Sequence, residues 1–226
     1  MTNFQIEVIS DTVCPWCYIG KKRLEAGIAL YQARQPPSTT TAADTFSTTW
    51  LPFYLNPGAP KEGVDKKGYY ESKFGAARTE AIFARLGAAG AAHGIAFRFG
   101  GKTGNTRDSH RLIELGKTKG ADAQTRVVDA LFRAYFENEQ DITSHAVLTR
   151  AGVEAGLPED EVRLWLESDK GGSRVDDEVR RAQLRDIGGV PHFTIQGRYE
   201  IGGAEDPAEF VRAFELVKKA EQSGVQ

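Results

Sequence analysis

Residues 4–10, Phe-Gln-Ile-Glu-Val-Ile-Ser, alternate apolar and polar, the period of a half-buried strand. The period then lengthens: Leu24, Ile28 and Tyr31 share one face of a helix expected to run from a turn at 11–17 to about Ala33. Pro36-Pro37 and a Ser/Thr-rich stretch break that helix. Asp44-Thr-Phe-Ser-Thr-Thr-Trp50 reads as a second strand, because β-branched and aromatic residues crowd it. A strand–helix–strand series is normally closed as a parallel pair with a right-handed crossover.

From about 62 to 168 the alternation disappears and strand signal is almost absent. Tyr69 to Gly90, rich in Ala, Arg and Glu, reads as helix. Val128, Leu131, Phe132, Tyr135 and Phe136 follow the i, i+3, i+4, i+7, i+8 spacing of an amphipathic helix. Shorter helices are expected over 145–155 and 159–168, separated by Gly156-Leu-Pro158. The first pattern then resumes. Ser173-Arg-Val-Asp176 reads as a capping box opening a helix that ends at Gly188-Gly189. His192–Gln196 and Tyr199–Ile201 form a hairpin about Gly197-Arg198. Asp206-Pro207 starts a last helix with Phe210, Phe214 and Val217 on one face. The order is βαβ, helices, then αββα. This predicts an α/β protein whose sheet-forming parts, 1–60 and 171–226, are interrupted by an all-helical insertion over 61–170.

Composition changes this picture little. Of 226 residues, 40% are hydrophobic and 27% charged, enough apolar material for a substantial core. A formal net charge of -2 provides no field to attract a polyanion, so nucleic acid is not an expected partner. The first ten residues lack the basic and apolar regions of a secretory signal, and no run of about 18 apolar residues offers a membrane span. The expected setting is cytoplasmic, without a membrane partner; oligomeric state is not legible.

The only cysteines stand together in Cys14-Pro15-Trp16-Cys17, between a predicted strand and a predicted helix. A secreted scaffold spreads its cysteines to staple distant segments, whereas a lone close pair points to redox chemistry or metal. At the helix N-terminus, free N–H groups and the positive dipole end favour a thiolate at Cys14, and Pro15 suits the first helical position. Cys17 lies one turn further in. The placement assigns Cys14 as attacking sulfur and Cys17 as resolving sulfur, the alternative being two buried structural cysteines. Zinc wants four ligands, and His93, His110, His145 and His192 are scattered, so no metal is expected.

Other features carry weaker chemistry. Val190-Pro191 opens a strand, and a cis bond there would turn the Val190 backbone toward the neighbouring loop to meet an extended thiol substrate. Gly100-Gly-Lys102-Thr103-Gly resembles a phosphate loop, but Ala96 stands where the first glycine is required, and a surface turn is the better reading. The stripe Phe132, Tyr135, Phe136 reads as core rather than ligand pocket. Asp11 could accept a thiol proton, although a turn or capping role is preferred. Asn105 reads as a helix cap beside His110.

Taken with these motifs, several longer stretches carry a resemblance: Ser10-Asp-Thr-Val-Cys-Pro-Trp-Cys-Tyr-Ile-Gly-Lys21, Trp50-Leu-Pro-Phe-Tyr-Leu-Asn-Pro57 and Asn105-Thr-Arg-Asp-Ser-His-Arg-Leu112. Ala130-Leu-Phe-Arg-Ala-Tyr-Phe136, Gly188-Gly-Val-Pro191 and Ile201-Gly-Gly-Ala204 extend it. The chain resembles the DsbA-like thioredoxin family, in its FrnE-like branch. The resemblance implies a thioredoxin fold interrupted by a helical domain, an active site at their junction, and a cis Val190-Pro191 bond facing Cys14. It implies thiol-disulfide exchange with protein or small-molecule thiols and disulfides. Pro15, Trp16, Val190 and Pro191 would contact substrate, no cofactor would be bound, and glutathione or a protein dithiol would serve as redox partner. The same superfamily includes kappa-class glutathione transferases and 2-hydroxychromene-2-carboxylate isomerases, which are expected to carry Ser in place of Cys14. A glutathione-dependent transferase or isomerase using Cys14 alone is therefore one alternative. A redox-inert module binding a ligand or partner is another. This branch often has two aromatics after the proline; here His192 precedes Phe193, and a space-filling role is the preferred reading. The additional cysteine pair of some relatives is absent.

Overall fold

The sheet is laid down by two alternating segments that pair along their whole length. In the computed structural model, which describes residues 1–35 and 43–222, β1 (Asn3–Ser10) runs parallel to β2 (Thr45–Pro52), in register from Asn3–Thr45 to Ser10–Pro52. The expected break at Pro36-Pro37 lies outside the described residues. A hairpin of β5 (His192–Ile195) and β6 (Tyr199–Gly202) adds antiparallel to the other side of β1, giving the order β2-β1-β5-β6.

Alternation along β1 decides what packs where. Phe4, Ile6 and Val8 face the main core, in which α1 (Pro15–Arg34) meets α9 (Pro207–Gln222). There Phe4 lies 5.3 Å from the Tyr31 ring centroid and 5.0 Å from that of Phe214. Ile9 points the other way, into a smaller cluster with Ala182 and Ile187 under α8 (Gly172–Leu184). Asp206 caps α9 as expected, its Oδ1 accepting the Ala208 N–H at 2.9 Å.

Between β2 and α8 the chain is helical, with α2 (Lys66–Phe74), α3 (Ala76–Ala91), α4 (Arg107–Thr118), α5 (Ala121–Phe132), α6 (His145–Glu154) and α7 (Glu159–Glu167). This is a thioredoxin fold carrying a helical insertion. The insertion is tied to the sheet by α5. β2 is an edge strand, and Gln124 satisfies its open side at Trp50, accepting the N–H at 3.0 Å and donating to the carbonyl at 2.8 Å. Arg111, equally buried, donates to the carbonyls of Trp165, Leu166, Ser168 and Lys170 and so caps the C-terminus of α7.

Several local expectations need correction. The stretch 69–90 is two helices, broken where Gly75 takes φ 81°. The segment expected to lack strands holds a two-residue ladder, β3 (Val64–Asp65) with β4 (Lys102–Thr103). The phosphate-loop look-alike lies there, and its Gly100 N–H is taken by Glu139 Oε1 at 2.8 Å. The capping box at Ser173–Asp176 does not form: the cap position is two residues earlier, at Gly171 in the left-handed region, with no side-chain cap. Asp176 instead accepts from the Tyr54 hydroxyl at 2.9 Å and from Arg107, so tertiary partners outcompete the local one. α8 also ends at Leu184, short of Gly188-Gly189.

The amphipathic run through Phe136 is helical but not uniformly α: Arg133–Glu137 form a π-type turn. Such a turn frees carbonyls, and here the buried Lys66 ammonium fills one, donating to Tyr135 O at 3.1 Å with its Nζ 3.8 Å from the Tyr135 ring centroid. Burial lowers the Lys66 amine from 10.5 to about 8, partly opposed by Glu139. Because the folded value lies below the unfolded one, the unfolded chain binds more protons between these two pH values, and Lys66 contributes increasing stability as pH rises through that window. Chemical denaturation of the protein and of Lys66→Met from pH 7.5 to 10.5 should show the stability difference shifting toward the unsubstituted protein by on the order of 2 kcal/mol. A pH-independent difference would mean Lys66 does not titrate there.

Candidate active site

β1 ends at Ser10, and the chain turns before entering α1. The turn is closed by the Cys14 N–H donating to Asp11 O at 3.0 Å, and the helix then starts with Pro15 at its first position. Cys14 is the N-cap residue and Cys17 lies in the first turn, its N–H donating to Cys14 O at 3.1 Å. Both thiols are free; Cys14 is 4% exposed and Cys17 1%. Burial pushes the Cys17 thiol well above its ordinary value, and its hydrogen bond to Cys14 adds to this. Hydrogen bonds from the Ser10 hydroxyl and the Asp11 backbone act in the opposite sense.

Opposite this turn the Val190-Pro191 bond is cis, and the Cys14 Sγ lies 3.6 Å from Val190 O. The close approach requires glycine at position 20 of α1: a Cβ there would stand 2.8 Å from Pro191 Cγ and 3.1 Å from the Phe193 ring. Cys14, Pro15, Trp16, Cys17, Val190 and Pro191, singled out from sequence, thus converge on one face of the fold. His192 does not join them as a donor. It is partly buried on β5, its Nε2 has no hydrogen-bond partner, and burial lowers its pKa.

The Cys14–Cys17 turn is clamped from behind by α4 of the insertion. Ser109 donates its only hydroxyl proton to Thr106 O at 2.7 Å, so the Thr12 hydroxyl donates to Ser109 Oγ, also at 2.7 Å. Asp11 is more than a turn residue. Its carboxylate is buried, accepts the Leu55 N–H at 2.8 Å through Oδ2, and places Oδ1 3.4 Å from His110 Nε2. That nitrogen is 3.1 Å from Phe53 O, an acceptor only, so it carries a proton. Asn105 is not the cap residue of α4: Thr106 holds that position without a side-chain cap, and Asn105, one residue earlier, accepts the Arg107 N–H at 2.9 Å in a turn that leads into the helix.

Beside Val13 opens a cavity of about 180 Å³ that the sequence did not announce. Leu55 and Pro60 after β2, Tyr69, Tyr70, Lys73 and Phe74 of α2, and Tyr135 of the π-type turn line it. Burial pushes the Tyr70 hydroxyl up to about 12, with Cys14 and Asp11 nearby adding to the effect. Phe132 and Phe136 are core as expected, stacked on Tyr18 at 4.9 Å and 6.0 Å, whereas Tyr135 faces both core and cavity. The aromatic and basic residues of Tyr69-Tyr-Glu-Ser-Lys-Phe74, set in an Ala-rich surround, were the available signal. Among the described residues no group of three or more His, Cys, Asp and Glu is arranged to hold a metal ion, and no helix is long and apolar enough to cross a membrane.

This arrangement of fold and turn has relatives. A solved structure of a probable DsbA oxidoreductase from Streptomyces coelicolor superposes with a TM-score of 0.82 at 28% identity, covering 99% of this chain and 91% of that one. An uncharacterized protein from Bacillus subtilis, YwbO, is 27% identical over 222 residues, 92% of this chain and 94% of its own length. The cytosolic disulfide reductase DsbM from Pseudomonas aeruginosa, solved with glutathione, shares the fold at a TM-score of 0.59 and 13% identity, covering 95% of this chain and 99% of that one. Residues 5–215 match the DSBA-like thioredoxin domain. Matched over nearly its whole length, the chain belongs to the DSBA-like thioredoxin domain family and is an enzyme of the disulfide oxidoreductase or isomerase type.

Proposed function

We propose that the protein catalyses thiol-disulfide exchange, with Cys14 as the attacking sulfur and Cys17 as the resolving one. The observation that carries this reading is the asymmetry of the pair. Cys14 caps a helix and faces Val190 O across the cis-proline loop, while Cys17 is sealed behind it and held protonated by burial. Cys14 attacks a substrate disulfide, its new S–S bond forming as the substrate bond breaks and one substrate thiolate departs. Cys17 then displaces the second substrate thiol, its own proton leaving with the departing sulfur. The protein dithiol becomes an internal disulfide and the substrate disulfide is reduced by two electrons. The reverse sequence oxidises a substrate dithiol.

Pro15 and Trp16 on one side, and Val190 and Pro191 on the other, are the contacts for the incoming sulfur compound. Glutathione or a protein dithiol completes the cycle as redox partner; the fold shared with a disulfide reductase solved with glutathione supports that choice. A second thiol at Cys17 favours dithiol exchange over a transferase or isomerase working through Cys14 alone.

Equilibrating the protein across ratios of reduced to oxidised glutathione, then alkylating with a mass tag, tests this. A reversible two-electron transition between dithiol and internal disulfide is expected, and its midpoint states the preferred direction. Lasting glutathione on Cys14 with no internal disulfide would favour the transferase or isomerase type, and no change at any ratio would end the redox reading.

A further inference from the structure

The hairpin of α2 and α3 carries three cations that rest on aromatic rings, one of them Trp16 between the cysteines. Lys73, Arg78 and Arg85 make no ion pair among the described residues, and each lies over an aromatic ring instead. Lys73 Nζ is 4.7 Å from the Tyr69 centroid, the Arg78 guanidinium 5.8 Å from Phe74, and that of Arg85 5.5 Å from Trp16. Tyr69, Lys73 and Phe74 line the cavity beside Val13, while Arg85 rests on Trp16 between the two cysteines, so Lys73 borders the cavity and Arg85 the Cys14–Cys17 turn. The cavity wall itself contains no carboxylate; its one charged side chain is Lys73. Leu55 and Phe74 expose apolar surface at its mouth, 47% and 42% respectively, beside Tyr69 and Tyr70.

Size and charge together define an occupant. A cavity of about 150 Å³ holds one benzene ring, so about 180 Å³ accepts a ring or a chain of five to six carbons. Cations resting on ring faces are already oriented and only partly satisfied, and a carboxylate can take them without breaking an ion pair. We infer that the cavity selects small-molecule disulfides and thiols whose sulfur bears an apolar arm ending in a carboxylate. The arm fills the tyrosine-lined cavity while the sulfur reaches Cys14 and the carboxylate meets Lys73, with Arg85 over Trp16 adding positive charge at the entrance. This rests on the exchange reading of Cys14, and the redox step is the two-electron transfer written above.

The test uses one carbon skeleton with and without charge. Reduced protein is mixed with 6,6′-dithiodihexanoate or with its diamide, whose sulfurs have the same leaving ability, and single-turnover rates are followed by mass spectrometry. The diacid is expected to react on the order of tenfold faster at low salt, with the ratio narrowing at high salt. The double variant Lys73→Gln, Arg85→Gln should bring that ratio toward one. Hexanoate binding to a Cys14→Ser, Cys17→Ser protein, measured by calorimetry, reads the cavity without any exchange, and should weaken in the same cation variant. Equal rates for diacid and diamide, a ratio indifferent to the substitutions, or no hexanoate binding at millimolar concentration would overturn the proposal. Hexanoate binding with no exchange of any disulfide would instead count against the role of Cys14 and leave the cavity assignment standing.

Discussion

Cys14→Ser is expected to lose disulfide exchange down to background, at least about 10³-fold, whereas Cys17→Ser should keep the first attack and stall there. The difference follows from position. Cys14 caps α1 with Val190 O at 3.6 Å, on the face where substrate would approach. Cys17 is 1% exposed and its thiol is pushed well above the ordinary range, so it stays protonated until a mixed disulfide forms one turn away. A hydroxyl at position 14 cannot attack sulfur at neutral pH, but a hydroxyl at position 17 only removes the second displacement. Incubating each variant with a small disulfide and weighing the intact protein separates the two. Cys17→Ser should accumulate one covalent substrate thiol per chain, and Cys14→Ser none. A Cys14→Ser protein that still exchanges would reverse the assignment.

Gln124→Leu should destabilise the protein by about 3 kcal/mol, far more than a volume-conserving change in a core normally costs. The Gln124 amide acts as a missing strand neighbour, meeting both the N–H and the carbonyl of Trp50 on the open edge of β2. Leucine fills similar space yet leaves both backbone groups buried without partners, each costing roughly 1–3 kcal/mol. Urea unfolding gives the measurement, and a shifted midpoint with an unchanged slope would locate the effect in the native state. A loss below about 0.5 kcal/mol would mean that water reaches the strand edge and Gln124 is not its cover. The consequence extends beyond stability: β2 leads directly to Phe53 and Leu55, which hold His110 and Asp11 behind the Cys14–Cys17 turn.

These contacts separate what the chain states locally from what it states only when folded. The alternation of Phe4, Ile6 and Val8 specified β1 and its buried face, and Asp206-Pro207 specified the start of α9, because both signals lie within a few neighbouring residues. The position of Cys14-Pro15-Trp16-Cys17 between strand and helix was legible for the same reason, and the longer resemblance pointed to Val190-Pro191. Other features arise only on closure of the chain. Gln124 meets Trp50 across 74 positions, and Thr12 meets Ser109 across 97. Local signals also lost where tertiary partners were stronger: Asp176 abandons a capping box for Tyr54 and Arg107, and Asp11 gives one carboxylate oxygen to the Leu55 N–H and buries the other 3.4 Å from His110. The cavity beside Val13 is assembled from β2's exit, α2 and the π-type turn, whose tyrosines read singly as ordinary core or surface residues. Periodicity reports which face of an element is buried, but not which element will cover it; that choice requires the packed insertion, and with it come the cations and rings around the cysteines.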